Sequence, residues 1–249
     1  MHASATDASV TPTSPPPIAA GPGPRWSVAS WQALVHCLLL FVAVGAGVVA
    51  MSMALSRFLP APDSHPLDGS TGAFLRMVIR GVLTIGLITW LGQLAVARLR
   101  WRDIGWYGLS MAQVGRGLVG FALTAAAFIA FLVVATGSSL GEILSAIADQ
   151  TWQQRLLFVG IGVTASVIEE SLMRGYLQPS LCKYLGGPVG IVVTAVVFSL
   201  LHVPSTLVAF GGRLVIGLGL GFTRGVGERR PLWSAAIVHT LIWVVIGAM

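Results

Sequence analysis

The sequence contains few charged residues and few cysteines. Only 10% of its 249 residues are Asp, Glu, Lys or Arg, whereas soluble domains average about 25%. The two cysteines, Cys37 and Cys182, are too few for a disulfide framework or a zinc cluster. The 15 basic residues form no dense run, so the net charge of +6 does not indicate nucleic-acid binding. These shortages exclude most soluble, disulfide-rich and nucleic-acid-binding classes of protein.

Apolar residues, in contrast, are abundant. They make up 55% of the chain, and the mean hydropathy is +0.83. A helix needs about 20 apolar residues to cross a bilayer. The sequence therefore predicts an all-α fold, a polytopic transmembrane helical bundle of about seven spans, with a range of six to eight. The long apolar runs lie at about 31–55, 77–97, 117–136, 156–178, 189–204, 206–223 and 232–248.

The composition changes along the chain and predicts three regions. Residues 1–24 are rich in Pro, Ser and Thr, which predicts a disordered N-terminal tail. Residues 25–155 are expected to form N-terminal membrane helices, and the aromatic, cation-rich segment 98–116 is expected to lie in the membrane interface. An ordinary basic loop is the alternative for that segment. Residues 156–249 are expected to form the C-terminal membrane core.

The distribution of basic residues predicts how the chain is oriented. Loops on the side of the N-terminus hold nine Arg and Lys residues, and loops on the opposite side hold five, a count that includes Arg213. Cytoplasmic loops of membrane proteins carry the excess of Arg and Lys. We therefore expect an integral protein of a bacterial-type cytoplasmic (inner) membrane, with a cytoplasmic N-terminus.

Three ionisable residues, Glu169, Glu170 and Arg174, interrupt the fourth apolar run. Ionisable groups at membrane depth are costly and usually face a bundle interior or a water-filled cavity. Glu170 and Arg174 are four residues apart and can form an ion pair, which is expected to brace the site. Glu169 lies about 100° around the helix from Glu170 and has no such partner. This unpaired carboxylate is suited to act as a general base or proton relay.

Two histidines, His202 and His239, lie in the fifth and seventh runs. A single histidine in an apolar helix is usually a hydrogen-bonded core residue. Together with Glu169, however, they place rare polar groups on three separate segments. We therefore predict that these three side chains meet in a water-filled cavity. Phe198, four residues before His202, is expected to pack beside the site, and His36 is expected to be structural.

Motifs in this part of the chain resemble those of the CPBP family, the CAAX-processing and bacteriocin-processing intramembrane proteases. The segment EESLMRG (169–175) is similar to the Glu-Glu-x-x-x-Arg motif of that family. FSLLH (198–202) is similar to its Phe-x-x-x-His motif. Residues 217–243 resemble the glycine-rich helix, basic turn and final histidine-bearing helix that follow. The resemblance covers about 156–245 and implies that residues 156–249 form a CPBP-like catalytic membrane core.

The resemblance implies an endopeptidase that cleaves peptide bonds at or near the bilayer, as in CAAX processing. Glu169 would activate a water molecule, His202 would hold or polarise that water, and His239 would stabilise the oxyanion. Glu170 and Arg174 would brace the site. The implied partners are membrane lipid and a peptide or membrane-protein substrate, with no nucleic acid.

The sequence departs from the family pattern at Trp243. The family commonly has Asn or Asp four residues after the last histidine, where this chain has tryptophan. An indole donates one hydrogen bond and accepts none. Two alternatives therefore stay open. One is a catalytically silent relative that acts as a membrane binding or immunity protein, and the other is a proton-coupled transporter.

The candidate residues also bear on the metal question. One glutamate and two histidines are the residue types of a zinc site, and zinc is the possible cofactor. The chain has no His-Glu-x-x-His motif, however. The sequence therefore favours a glutamic-type protease with no metal and no cofactor over a metalloprotease.

Overall fold

The computed structural model describes Val35, Leu39 and residues 100–202, 204–227 and 230–245. The predicted N-terminal tail, the segment around His36 and the second apolar run lie outside these residues, and so does most of the first run. The account below concerns the described part of the chain.

All regular structure in the described ranges is helical, which confirms the predicted all-α class. A turn at 101–105 precedes the first helix. Helices α3 and α4 are joined without a break by a π-helical segment, Ser171–Leu177. The helices are α1 (Met111–Thr136), α2 (Leu140–Ala148), α3 (Trp152–Glu170), α4 (Gln178–Leu185), α5 (Gly187–Leu201), α6 (Leu207–Arg224) and α7 (Trp233–Val245).

Short polar side chains mark where three of these helices begin. The Ser110 hydroxyl accepts a hydrogen bond from the backbone N–H of Gln113 at the start of α1. Ser139 and Glu142 form the equivalent reciprocal pair at the start of α2. The Thr206 hydroxyl accepts from the third residue of α6. Such caps satisfy backbone donors that have no partner within the helix.

Helix α7 lies at the centre of the bundle and packs against α1, α3 and α6. The core contains apolar side chains from six elements, among them Leu177, Phe198, Leu220 and Val238. Gly162 allows the close approach of α3 and α7, because a Cβ at this position would lie only 2.8 Å from the Cβ of Trp243. This packing holds the segment of the two glutamates against the helix of His239.

Two helices have the length and composition needed to cross a membrane. They are α1 and α6, and α5 and α7 are shorter apolar helices. Helix α1 exposes Leu118, Val119, Leu123 and Val134. An exposed apolar surface of this kind is suited to lipid contact. The described residues thus contain two candidate membrane spans and do not establish a count of seven.

Some predicted boundaries differ from those observed. Helix α1 begins at Met111, because Ser110 caps it, so the end of the predicted 98–116 segment is helical. The polar stretch 137–155 contains the short helix α2. The segment before α1 packs on the core: Trp106 Nε1 donates to Ser171 Oγ at 2.7 Å, and Leu232 N donates to Gly105 O at 2.9 Å. It thereby contacts the π-helical segment.

Candidate active site

A buried ion pair lies where α3 ends. Glu170 and Arg174 have fully buried side chains, and Arg174 Nη1 lies 3.2 Å from Glu170 Oε1. Arg174 Nη2 donates to the carbonyl oxygen of Gly217 in α6 at 3.0 Å. The guanidinium carbon also lies 4.6 Å from the centre of the Phe198 ring. Arg174 therefore ties the π-helical segment to α5 and α6, and we call Glu170, Arg174 and the Gly217 carbonyl the buried brace.

His239 bridges the two adjacent glutamates. Its Nδ1 lies 2.8 Å from Glu170 Oε1, and its Nε2 lies 3.8 Å from Glu169 Oε2. The side chain is 4% exposed. Because a carboxylate accepts hydrogen bonds, Nδ1 donates to Glu170. One imidazole therefore contacts both carboxylates, although these point in different directions around their helix.

His202 approaches Glu169 from the end of α5. Its Nδ1 donates to the carbonyl oxygen of Phe198 at 2.8 Å, and its Nε2 lies 3.5 Å from Glu169 Oε2. The Phe198 ring stacks at an angle on the His202 ring, with centroids 4.6 Å apart. Phe198 thus packs against His202 and orients it through its own carbonyl group.

These contacts bring together the residues that the sequence predicted would meet. Both histidine Nε2 atoms face Glu169 Oε2, and we call Glu169, His202 and His239 the open cluster. Glu169 Oε2 is buried and makes no hydrogen bond within the described structure. The side chains of Glu169 and His202 remain 21% and 25% exposed. The open cluster therefore combines an unpaired acceptor with access from outside.

A cavity of about 370 Å³ adjoins the open cluster. His202 and His239 form part of its wall, together with Arg213 and Trp243. Most other wall residues are apolar, including Leu132 of α1. Its volume falls in the range of about 300–1,000 Å³ that is typical of ligand sites.

Trp243 and His239 both line the cavity, as their spacing of four residues predicts. The Trp243 ring lies 6.3 Å from the ring of Phe158 in α3. Thr240, between them in the sequence, is turned toward α3, where its hydroxyl lies 2.9 Å from Ser166 Oγ. Thr240 therefore contacts α3 through its hydroxyl group.

Two features of the site were not found from the sequence. The Gly217 carbonyl accepts a hydrogen bond from Arg174, which no side-chain pattern could reveal. Arg213 lines the cavity although it had been counted with the loop residues. A sequence signal was available for Arg213, because it is a single charge within the apolar run 206–223.

The described residues give no support for a metal centre. No group of three or more His, Cys, Asp or Glu side chains in the described part of the chain has the arrangement needed to hold a metal ion.

Comparison with known proteins identifies the segment that holds this site. Residues 151–245 match the family model described as type II CAAX prenyl endopeptidase Rce1-like. No curated protein and no solved structure matches the chain. The match includes all of α3, the π-helical segment and α4 to α7. The Rce1-like match to residues 151–245 agrees with the CPBP family indicated by the sequence motifs.

Proposed function

We propose that this protein is an intramembrane endopeptidase of the CAAX-processing type, in which Glu169 activates the attacking water. The family match supports the reaction class. The observation that supports the mechanism is the buried Glu169 Oε2, which has no hydrogen bond and faces Nε2 of both His202 and His239. A general base needs such an available acceptor beside the position of the water.

The hydrogen bonds of the histidines support a water-binding role for the open cluster. Each histidine donates its Nδ1 proton, His202 to a carbonyl and His239 to Glu170. A neutral imidazole then has only a lone pair at Nε2. Glu169 Oε2 and His202 Nε2 are consequently two acceptors 3.5 Å apart. A water molecule that donates one proton to each of them would direct its own lone pair toward a peptide carbonyl.

The charges of the site support a role for His239 in stabilising the oxyanion. Glu169 and Glu170 carry two negative charges and Arg174 carries one positive charge, so one additional proton makes the group neutral. A low-dielectric interior favours that neutral total. With this proton on His239, Nε2 becomes a donor that can stabilise the tetrahedral oxyanion. Glu170 would hold Nδ1, as the acidic residue of a catalytic triad holds its histidine.

The proposed reaction balances its protons within the open cluster. Glu169 takes one proton from water as the oxygen forms a bond to the peptide carbonyl carbon. His239 stabilises the resulting oxyanion. Glu169 then returns its proton to the departing amine nitrogen while the carbon–nitrogen bond breaks, which produces a carboxylic acid and an amine. No metal or other cofactor takes part in this sequence.

The membrane setting is part of the proposal. We propose about seven spans, a cytoplasmic N-terminus and insertion in a bacterial-type inner membrane, with the catalytic core in the C-terminal region. The exposed apolar face of α1 supports contact with lipid. A peptide or membrane-protein substrate would reach the open cluster through the adjoining cavity.

Trp243 favours a second candidate, a catalytically silent relative that binds a membrane partner. Its indole occupies the cavity wall beside His239, where the family commonly has a polar group. Loss of one oxyanion donor lowers the rate of an enzyme by about 10²–10³-fold. A silent relative would bind a substrate-like peptide without cleaving it.

Cleavage of a farnesylated peptide by the full-length protein in proteoliposomes tests the proposal. We expect Glu169→Gln to lower the rate by about 10²–10⁴-fold, because it removes the general base. Glu142→Gln, at an exposed position in α2, is the matched control and should cleave normally. Activity that persists in Glu169→Gln contradicts the mechanism, and binding without cleavage by the unaltered protein supports the silent relative.

A chelator provides the test of the metal-free mechanism. Phenanthroline should leave the cleavage rate unchanged if Glu169 alone activates the water. Loss of activity with the chelator, restored by added zinc, would contradict this part of the proposal.

A further inference from the structure

Arg213 is placed on the face of α6 that forms the cavity wall. It is accompanied on this wall by Ala209, Gly212 and Ile216. These positions share one helix face because they are separated by three or four residues. The side chain is half-buried, and one helical turn further along, at Gly217, the carbonyl oxygen binds Arg174. Arg213 therefore lies beside the site but outside the buried brace.

The positive charge of Arg213 is not balanced within the described structure. Its guanidinium has no hydrogen bond or ion pair there, whereas Arg174 has both. No Asp or Glu is among the described residues that form the cavity wall. A charged residue within a membrane helix is costly and usually faces a partner or a functional cavity. An anionic ligand group would supply the missing partner.

We infer that Arg213 binds the free C-terminal carboxylate of the peptide substrate. This inference rests on the proposed function and names the part of the substrate that the cavity recognises. A guanidinium matches a carboxylate with two parallel hydrogen bonds, which a peptide amide terminus cannot accept in the same way. The carboxylate is also the one negative charge that every unmodified peptide presents at its end.

The position of the cavity suits this assignment. A bond cleaved at the open cluster would leave the residues between that bond and the free chain end within the adjoining cavity. Apolar wall residues such as Leu132 and Ile242 would contact their side chains. Arg213 would then act as a specificity-determining residue that selects substrates by the distance from the cleaved bond to the chain end.

A pair of farnesylated peptides that differ only at the C-terminus provides the test. With the free acid, Arg213→Gln should raise KM about 10–100-fold and leave kcat unchanged, because a charged hydrogen bond is lost in binding alone. With the C-terminal amide, the unaltered protein and Arg213→Gln should have the same KM. Arg213→Lys should retain part of the preference for the acid. Arg116→Gln, at an exposed position of α1, is the matched control and should retain all of it.

Direct binding separates failure of this inference from failure of the proposed function. A fluorescent apolar tripeptide, as the acid or the amide, is titrated into the Glu169→Gln protein in neutral-lipid nanodiscs. Binding of the acid that is tighter than binding of the amide, and that is lost in the double variant Glu169→Gln/Arg213→Gln, supports the inference. This holds even if the unaltered protein cleaves nothing. Equal binding of acid and amide overturns it. Equal binding of acid and amide in neutral lipid, together with association of anionic lipid that Arg213→Gln lowers, also overturns it and assigns Arg213 to a lipid phosphate.

Discussion

The adjacent glutamates at the end of α3 have opposite surroundings. Glu170 is fully buried, and its Oε1 accepts hydrogen bonds from Arg174 and His239. Glu169 is 21% exposed, and its Oε2 has no hydrogen-bond partner among the described residues. Neighbouring residues of the same type thus belong to two different regions, the buried brace and the open cluster.

The difference separates the residues that hold the site together from those proposed to carry out the reaction. In the buried brace, the charges of Glu170 and Arg174 offset each other and join three segments of the bundle. In the open cluster, Nε2 of His202 and Nε2 of His239 lie 3.5 and 3.8 Å from Glu169 Oε2, which makes no hydrogen bond within the described structure. His239 links the two regions, because its Nδ1 faces Glu170 and its Nε2 faces Glu169. The brace therefore positions the histidine that the open cluster uses.

Removal of Glu170 is the strongest way to break this comparison. Glu170→Ala leaves Arg174 as an uncompensated buried charge, so we expect the free energy of unfolding to fall by about 3–5 kcal/mol. Denaturation in detergent micelles measures this change. Glu142→Ala is the exposed control and should have a much smaller effect. The double variant Glu170→Ala/Arg174→Met should recover much of the stability, and a stable single variant would contradict the role of the brace.

Substitution of Trp243 sharpens the comparison between the buried brace and the open cluster, because it changes only the surroundings of the open cluster. Trp243→Asn restores a small polar group beside His239, and an additional oxyanion donor should raise kcat by about 10²-fold. Cleavage of the farnesylated peptide in proteoliposomes measures the effect. Trp152→Asn, at an exposed position, is the control. A folded Trp243→Asn protein with unchanged kcat would show that this position does not limit the reaction.

The smallest expected effect concerns Glu142, an exposed glutamate that serves as a reference for Glu169 and Glu170. Hydrogen bonds from the backbone and the hydroxyl of Ser139 hold the pKa of Glu142 below its usual range. Because the pKa is lowered in the folded state, its contribution to stability is present above the unfolded value of about 4.3 and is lost as the pH falls through the folded value. Amide-exchange protection of α2 should therefore decrease slightly under acid, and Glu142→Gln should show no such decrease.

Local chemistry made much of the described fold predictable. Apolar runs at about 117–136, 206–223 and 232–248 correspond closely to α1, α6 and α7, because burial in lipid requires long apolar helices. The predicted start of α1 at about residue 117 was wrong, because the cap at Ser110 begins the helix at Met111. The four-residue spacing of Glu170 and Arg174 predicted their contact, which is local to one helix.

The candidate site was predictable in its members but not in its hydrogen bonds. Rare polar residues in apolar segments pointed to Glu169, His202 and His239, because such groups are costly in lipid. Their helical spacing left Glu169 and Glu170 on different faces, and only the position of α7 shows that His239 contacts both. Arg213 was placed among loop residues, because its orientation toward the cavity depends on how α6 packs.

The sequence by itself determined the class of the molecule, its helices and the residue types of its site, since these depend on composition and on spacing within one segment. Tertiary structure decided which glutamate is held by Arg174 and His239 and which remains available, and it placed Arg213 on a cavity wall. The physical reason is that hydrogen bonds between helices depend on their rotation and separation. Close contacts between helices at glycine, such as the contact of Gly162 with Trp243, set this rotation and separation. No periodicity along the sequence encodes such contacts.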